Sequence, residues 1–548
     1  MKFNNKHIGI LIIILFAIPI ASINLSIANL GSVQEIEQQS LFEDLKTSTT
    51  YNTTLLIDDD NPLVNWANRS AEGYCTGSGT FGDPYVISYD IFDASPGVIG
   101  LDIRNSRKHF NVVNCDFVSA TVEAIFLFNT SNGIIEDNKM TGFIYGIDVN
   151  NCTDITFRNN NCSSGGTGFL IQNSNDLSFI SNDVNENSGH GFDIDNVDDS
   201  LFESNTVNKN DGDGFIVSMC NSNIFRDNTI QNNLGTGIGL SLSNLNRLEL
   251  NTVNFNNIGI HFASLSLSNT ISQNTANNND NHGIWNNACD YNEFIDNTCN
   301  HNLVAGAYIF ASNHIIFSGG TFYNNTGNGI RIQSQINTTL TGTHVYHNYQ
   351  NGIRIYSVDQ SLIENNNAHD NNWHGIRIRN GCHQNIIQNN IAQYNNLSGI
   401  YLHNVANDNI LEENTASHNK EHGIYLSDAD DNVILSNEAN KNNENGIHLS
   451  NSDGNIVLSN TANNNNNGTF LDSSDTNFIL KNVFLGNGVC YNETGSTDNI
   501  FKDNICTSAG IPAPPLDPFI LGLILGLVVG FGALAAVLLI YLLRGRKK

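Results

Sequence analysis

The sequence carries little positive charge and almost no methionine. Its 24 Lys and Arg residues stand against 53 Asp and Glu residues, so the formal net charge is -29 over 548 residues. A surface of this sign repels phosphate backbones, which excludes nucleic acid as the main partner. Methionine occurs only as Met1, Met140 and Met219. A copper site built on soft thioether ligands therefore has few residues available.

Both ends of the chain carry an apolar run flanked by basic residues. Lys2 and Lys6 precede an apolar stretch and small residues, the layout of a secretory signal, which we place at residues 1–28. Residues 519–543 contain no charge and are long enough to cross ~30 Å of hydrocarbon. They precede the basic residues 544–548, which predicts a single-pass cell-membrane protein with a cytoplasmic tail and everything else outside.

Three parts lie between the signal and the predicted transmembrane helix. We assign residues 29–95 to an N-terminal leader and cap, 96–510 to a repeat region and 511–518, IPAPPLDP, to a stiff Pro-rich linker. Within the leader, residues 33–46 have the apolar spacing of a short helix, which together with Trp66 would cover the first repeat.

The predicted transmembrane helix has small residues on one side. Gly522, Gly526 and Gly530 recur at four-residue intervals, which is the spacing of a helix-pairing face in membranes. The sequence therefore predicts the membrane as a partner and self-association through this helix.

Two columns of residues recur along the chain at intervals of 22 to 24. The first is a small residue followed by an apolar one: Gly100, Ala124, Gly146, Gly168, Gly191, Gly214, Gly237, Gly259, Gly283, Gly306, Gly329, Gly352, Gly375, Gly399, Gly423, Gly446 and Gly468. The second is mostly Asn: Asn114, Asn138, Asn160, Asn182, Asn205, Asn228, Asn251, Asn274, Asn297, Gly320, Gly342, Asn366, Asn390, Asn414, Asn437, Asn460, Asn482 and Asn504.

A fixed period of this length predicts a solenoid in which each coil packs on its neighbours. Short pieces with apolar residues at every second position, rich in β-branched side chains, predict strands. The leucine-rich repeat is excluded because its L-x-x-L-x-L-x-x-N spacing is absent, and a disordered Asn-rich tract would not keep the apolar phase. We therefore predict an all-β right-handed parallel β-helix of about 18 coils, with amides stacked from coil to coil.

The coils resemble those of NosD-type β-helix proteins and of the wider group of carbohydrate-binding proteins and sugar hydrolases with parallel β-helix repeats. The stretch Cys75–Ile87, CTGSGTFGDPYVI, is similar to the lead-in before the first coil of such surface proteins. The resemblance covers residues 56–507 and implies the fold. It does not fix an activity, because the family includes lyases, hydrolases, epimerases, adhesins and a copper-pathway protein.

The residue two positions after each column Gly should point outward. From the middle of the chain onward these residues form a stripe of aromatic and Arg side chains, Trp285, Tyr308, Arg331, Arg354, Arg377, Tyr401 and Tyr425. Stacked Arg residues repel one another unless an anion neutralises them, and the guanidinium fork matches carboxylates. The stripe is thus a candidate binding surface for an acidic polysaccharide, with ring faces against sugars. In the structural alternative, Tyr and Trp are ordinary strand residues and Asp359, Glu364 and Glu412 screen the Arg.

An enzyme would require converging acid and base groups. The best catalytic candidates are His374, Arg377 and Arg379, with His403 one coil later. The echo of a polygalacturonase motif at Gly189–Gly191 lacks the paired Asp residues of that family, and no Asp-Pro-His signature of alginate epimerases is present. The sequence thus leans against catalysis.

Metal and disulfide signals are weak. Asp428, Asp430 and Asp431 could hold Ca2+, although an exposed acidic loop is the commoner meaning, and we expect no cofactor or metal. His374 and His422 share a column two coils apart, ~9.6 Å, which is too far for one ion. The pairs Cys152/Cys162 and Cys289/Cys299 occupy equivalent positions and fit either disulfides or small buried residues.

Three functions remain open from the sequence. The first is a membrane-anchored surface protein that binds extracellular polysaccharide or acts as an adhesin. The second is an extracellular polysaccharide lyase or hydrolase, and the third is an envelope spacer without a ligand.

Overall fold

The computed structural model describes residues 48–93, 97–118 and 122–506. Several predicted segments lie outside these residues: the signal at 1–28, the short helix at 33–46, the linker at 511–518, the transmembrane helix at 519–543 with its glycines, and the tail at 544–548. In the described part of the chain, no helix has the length and hydropathy needed to cross a bilayer.

Each coil contributes strands to three faces, and strands of one face pair in parallel with those of the next coil. The first face consists of Leu55–Asp58, Leu101–Arg104, Glu123–Phe128, Tyr145–Asn150, Thr167–Asn175, Phe192–Asp198, Phe215–Ser218, Thr236–Ser241, Ile258–Ala263, His282–Asn287, Ala305–Phe310, Ile330–Ile336, Ile353–Asp359, Ile376–Arg379, Ile400–His403, Ile424–Ser427, Asn445–Ser450, Asn467–Asp472 and Val489–Thr494. This face contains the residues that follow the glycine column.

The second face follows the first across a corner with one or more residues at positive φ. Its strands are Tyr85–Ser88, Phe110–Val113, Ser131–Glu136, Thr153–Arg158, Ser178–Ile180, Leu201–Glu203, Ile224–Arg226, Arg247–Glu249, Thr270–Ser272, Glu293–Ile295, Ile316–Ser318, Thr339–Thr341, Leu362–Glu364, Ile386–Gln388, Ile410–Glu412, Val433–Leu435, Ile456–Leu458, Phe478–Leu480 and Ile500–Lys502. Asn, Asp and Ser fill many of the corner positions, which suits their tolerance of the left-handed region.

The third face has shorter strands and closes each coil. They are Thr50–Tyr51, Ile91–Asp93, Asp116–Val118, Lys139–Met140, Asn161–Cys162, Asp183–Asn185, Thr206–Asn208, Thr229–Gln231, Thr252–Asn254, Thr298–Asn300, Thr321–Tyr323, His344–Tyr346, Asn367–His369, Val483–Phe484 and Ile505–Cys506. Single bridges continue this ladder through Thr275, Ile391, Thr415, Glu438 and Thr461. The predicted parallel β-solenoid of about 18 turns is confirmed.

The core is built from side chains that stack on their counterparts one coil away. Two neighbouring columns of Phe rings have centroids 4.6 to 4.8 Å apart within each column, and the columns meet edge to face. The rings are those of Phe157, Phe179, Phe202 and Phe225, and of Phe169, Phe192 and Phe215. Each buried ring contributes ~1.5–3 kcal/mol relative to exposure.

The predicted Asn column forms a hydrogen-bonded ladder. The Asn251 Nδ2 atom donates to the Asn274 Oδ1 atom at 2.9 Å and to the Phe225 carbonyl at 2.8 Å. The register differs from the prediction at two places: Cys115 and Thr343 occupy the ladder position, not Asn114 and Gly342. Asn114 and Gly342 instead take the preceding corner position, with φ of 55° and 68°.

A second ladder, five residues after the first, was missed from the sequence. It starts at Asn187 and Asn210 and continues through the buried amides of later coils to Asn487. Its members hydrogen-bond to each other as in the first ladder, for example Asn210 Nδ2 to Asn233 Oδ1 at 2.9 Å. The signal was present as a second Asn at a constant spacing.

Close packing between coils, to which the second ladder contributes, explains the glycine column. A Cβ atom added at Gly237 would lie 2.2 Å from Val253 Cγ1, 2.7 Å from the Gly259 carbonyl oxygen and 2.9 Å from Asn256 Nδ2. Close approach between coils, rather than an unusual φ, therefore requires glycine here.

The ends of the described solenoid have their own features. At the start, a short helix, α1 (Trp66–Ala71), is capped by Asn65, and the Trp66 indole stacks on Tyr85 at 5.0 Å. In the last coil, Cys490 and Cys506 form a disulfide between the first and third faces. The four cysteines singled out from the sequence, Cys152, Cys162, Cys289 and Cys299, are free and buried, so their role is packing.

Candidate functional site

The predicted stripe lies in one straight row on the first face. Its register runs Trp285 to Tyr308, Arg331, Arg354, Arg377, Tyr401 and Tyr425, one residue per coil. All seven side chains are half-buried. The row continues beyond the predicted residues, through His261 before Trp285 and through His448 and Phe470 after Tyr425.

A second outward row runs beside the stripe, two residues further along each strand. It contains Gln333, Tyr356, Arg379 and His403 on successive coils. Tyr356 was missed from the sequence, although period-2 alternation places it outward. The row adds a fourth guanidinium, so that four cations from three coils share one surface.

Aromatic rings support these guanidinium groups. The Arg331 Cζ atom lies 4.4 Å from the Tyr308 ring centroid, and the Arg377 Cζ atom lies 5.8 Å from that of Tyr401. Arg354 and Arg379 share the Tyr356 ring, at 5.7 and 5.5 Å. Such contacts orient the cations and stabilise each by ~0.5–1 kcal/mol at partly exposed sites.

Among the described residues, none of these four guanidinium groups has a carboxylate oxygen within 4.0 Å. By contrast, Arg158 and Arg226 on the second face pair with Glu at 2.6 and 2.8 Å. The Nε atoms of Arg331 and Arg354 are buried and make no hydrogen bond. The stripe therefore carries concentrated positive charge that the described protein residues do not neutralise.

Burial lowers the pKa of Arg354 to about 10, and repulsion from Arg331, Arg377 and Arg379 adds to this effect. Burial and Arg379 also lower the pKa of Arg377. Both shifts have the sign expected when like charges are held together in a partly desolvated place. A bound anion would offset the burial and the like-charge repulsion and so raise these pKa values again.

The carboxylates offered by the structural alternative do not screen the stripe. Glu364 and Glu412 lie on the second face, and a Glu364 oxygen accepts a hydrogen bond from Gln388 Nε2 at 2.8 Å. Asp359 accepts from the backbone N–H of His383 at 2.7 Å. Asp359 and Glu364 therefore have structural partners elsewhere, which weakens the interpretation of the stripe as an ordinary strand surface.

The aromatic rings are arranged differently from the expectation that their faces are open to sugars. Tyr401 stacks on Tyr425 at 4.7 Å, Tyr425 on His448 at 4.7 Å, and His448 on Phe470 at 5.0 Å. Because the rings stack along the solenoid axis, neighbouring rings cover their faces. The stripe therefore presents ring edges and hydroxyl groups to solvent.

The structure brings Arg377 and His403 together. Neither the His374 imidazole nor the His403 imidazole is free to act as a base. His374 is buried, and its Nδ1 atom accepts the backbone N–H of Ser398 at 3.1 Å. His403 Nε2 accepts from Arg377 Nε at 3.1 Å. Burial and then Arg377 lower the pKa of His374 to about 3 and that of His403 to about 4. Both are neutral at pH 7, with one ring nitrogen engaged.

The described residues contain no group of three or more His, Cys, Asp or Glu side chains arranged to hold a metal ion. His422 has two titratable neighbours: its Nε2 atom lies 3.1 Å from Glu444 Oε2 and 3.2 Å from His448 Nδ1. Its Nδ1 atom accepts the N–H of Asn445, so the proton sits on Nε2, where a metal would have to bind. In the acidic loop considered for Ca2+, Asp430 Oδ1 accepts a hydrogen bond from the Asp453 N–H at 2.8 Å. This carboxylate therefore has a structural role.

The buried histidine predicts a pH effect on stability. The ordinary His pKa is 6.5, and that of folded His374 is about 3, so the unfolded chain binds this proton first as pH falls. Stability is therefore lost below pH 6.5. We expect His374→Asn, which copies Asn328 and Asn351 of neighbouring coils, to reduce the loss between pH 7.5 and 4.5 by ~2 kcal/mol. Urea unfolding at both values measures it.

Exposed His347 supplies the control for that measurement. His347→Asn should leave the difference between pH 7.5 and 4.5 unchanged, since this side chain is exposed. Equal acid sensitivity of His374→Asn and the unsubstituted protein would contradict the assignment of a buried neutral imidazole.

Stacked parallel coils with three faces define a β-solenoid protein. The chain matches the family described as right handed beta helix region over residues 99–253, 146–298 and 286–415, and it belongs to that family. Residues 371–509 also match the family described as periplasmic copper-binding protein (NosD). The resemblance to NosD-type β-helix proteins is thus confirmed. A comparison with curated proteins gives no match.

Three solved structures show low similarity to this chain. The A-module of the mannuronan C-5 epimerase AlgE6 from Azotobacter vinelandii is 15% identical, with 79% of this chain and 89% of that chain covered and a TM-score of 0.27. A double mutant of the periplasmic alginate epimerase AlgG is 13% identical, with 76% and 79% covered and a TM-score of 0.32. The Dettilon tailspike protein is 13% identical, with 62% of this chain and 58% of that chain covered and a TM-score of 0.30.

Proposed function

We propose that this protein binds an acidic polysaccharide outside the cell and that the stripe is its binding surface. The single observation that carries the proposal is the row of Arg331, Arg354 and Arg377, joined by Arg379, without carboxylate partners among the described residues. Holding unneutralised cations together in a partly desolvated place destabilises the fold, so a row of this kind indicates a functional site.

The geometry favours a polymer over a small anion. The Arg residues recur once per coil, ~4.8 Å apart along the axis, so a chain lying parallel to the axis meets a guanidinium at each step. Each guanidinium can form a two-pronged pair with a carboxylate or sulfate group. Tyr308, Tyr401 and Tyr425 flank the row and place hydroxyl-bearing edges where sugar hydroxyls would lie.

The location belongs to the same proposal. The predicted signal at 1–28 and the predicted transmembrane helix at 519–543 would hold the solenoid at the outer surface of the cell membrane, where polysaccharides occur. Pairing through Gly522, Gly526 and Gly530 would place two stripes side by side. A net charge of -29 would repel acidic polymers from most of the surface, which favours binding at the positively charged stripe.

A panel of neutral and acidic polysaccharides tests the proposal. Full-length protein in detergent is incubated with each polymer, and bound protein and newly released chain ends are measured in the same samples. We expect binding to polymers with carboxylate or sulfate groups, weakening as salt rises, without new chain ends. Binding to no acidic polymer would contradict the proposal and favour an envelope spacer.

A polysaccharide lyase or hydrolase is the second candidate. The observation that favours it is the contact between Arg377 and His403, which places an imidazole beside a guanidinium that can hold a sugar carboxylate. In this candidate, a sugar carboxylate takes over the Arg377 guanidinium, and His403 Nε2 is then released to accept a proton. Release of new chain ends that stops after His403→Gln would support this candidate.

A further inference from the structure

A cluster of exposed apolar side chains lies at the corner between the first and second faces. Met219, Leu242, Leu245 and Leu265 are 45%, 47%, 60% and 61% exposed and sit on three successive coils. The Met219 N–H donates to the carbonyl of Ser241, directly before Leu242, so these corners are stacked. We call these four residues the corner patch. Contiguous exposed apolar groups on a soluble surface often mark an interaction site.

The backbone makes these residue types unexpected. All four have φ between 52° and 64°, in the left-handed region that disfavours bulky side chains. Other coils place Asn196, Asn380 or Asn404 where Leu242 stands, and Asn is well tolerated there. The corner patch thus carries apolar side chains at positions where they cost conformational energy and remain exposed.

The surrounding chain also carries few charges. Between Asp227 and Asp280 the sequence contains only two charged residues, Arg247 and Glu249. These two form an ion pair with each other beside the corner patch. In a chain of net charge -29, this band is neutral. The band carries one cation and one anion, so the same surface on a second copy offers an opposite charge to each of them.

We infer that the corner patch is a contact between two copies of this chain. Two molecules of net charge -29 repel each other overall, and a neutral band around the corner patch lowers this repulsion where they meet. In a two-fold contact each copy offers the same surface, so Arg247 of one copy can face Glu249 of the other while the Leu side chains pack together. A strongly cationic or anionic partner would gain no advantage from this band.

An engineered cysteine tests the contact in the full-length protein in detergent. The cysteines of the described chain other than Cys490 and Cys506 are buried, and Cys490 is bridged to Cys506, so a new surface thiol can be followed. Ser222→Cys places the thiol next to the corner patch, and Ser436→Cys places it on another corner; both serines are exposed at φ of 60° and 55°. Mild oxidation should give a cross-linked dimer with Ser222→Cys and not with Ser436→Cys. Equal yields at the two sites would overturn the proposal.

A double substitution gives the second measurement. Leu242→Asn with Leu265→Asn, added to Ser222→Cys, should weaken dimer formation at least ~10-fold because two buried Leu side chains are lost from the contact. The thermal unfolding midpoint of the single copy should not fall, since Asn suits these φ values. An unchanged dimer yield would assign association to another segment, such as the predicted transmembrane helix, and a strictly monomeric protein would mean that no second copy binds. Either result overturns the proposal.

Discussion

Replacing Arg331, Arg354 and Arg377 with alanine is expected to weaken binding of acidic polysaccharide at least ~100-fold. Hydrogen bonds to charged groups contribute ~1.5–3 kcal/mol each, and three are lost together. The same substitution should not destabilise the fold. Burial, with repulsion from the neighbouring Arg residues, lowers the pKa of Arg354 to about 10, so removing the row relieves an unfavourable interaction. Binding isotherms and thermal unfolding of the same samples measure both effects.

Three paired arginines outside the stripe provide a matched control. Arg104, Arg158 and Arg226 each pair with a carboxylate, so their replacement with alanine changes the net charge equally and leaves the stripe intact. If both triple variants lose the same affinity, binding follows overall charge and not the stripe. If the stripe variant loses stability, its Arg residues have a structural role that their contacts do not reveal.

The fold was predictable because each coil of a solenoid repeats the same pattern of residues. The 22- to 24-residue interval fixed which residues stack, and the register of Tyr401 on Tyr425 and of Arg331 on Arg354 follows directly from it. The first Asn ladder followed for the same reason. Its two register errors, at Asn114 and Gly342, occurred where Cys or Thr replaces Asn and the neighbouring corner residue resembles a ladder residue.

The membership of the stripe was also predictable, but its environment was not. Period-2 alternation places Arg377 outward, yet no one-dimensional pattern tells whether Glu364 reaches it or turns to Gln388. The stacking of Tyr425 on His448 likewise depends on side-chain torsion angles, which cannot be read from the identity of either residue. The residues of the surface could therefore be named from the sequence, whereas their charge balance and exposed edges required coordinates.

Replacing Asn251 with alanine is expected to destabilise the solenoid by ~3 kcal/mol or more. The Asn251 Oδ1 atom accepts from the backbone N–H of Asn228 at 3.1 Å and from its Nδ2 atom at 2.9 Å. The Asn251 Nδ2 atom donates to the carbonyl of Phe225 and to Asn274. The substitution leaves buried groups on both sides unsatisfied, at ~1–3 kcal/mol each.

The position of the loss is as informative as its size. Each coil contacts only its neighbours, so opening should spread from the substituted coil, and hydrogen exchange should accelerate first around Asn228, Phe225 and Asn274. Asn257→Ala is the control, because that side chain is exposed in the same coil and should change stability by less than ~0.5 kcal/mol. Equal protection of the coil in both variants would mean that the amide ladder follows the coil stacking and does not stabilise it, leaving the Phe columns and backbone pairing to hold the coils together.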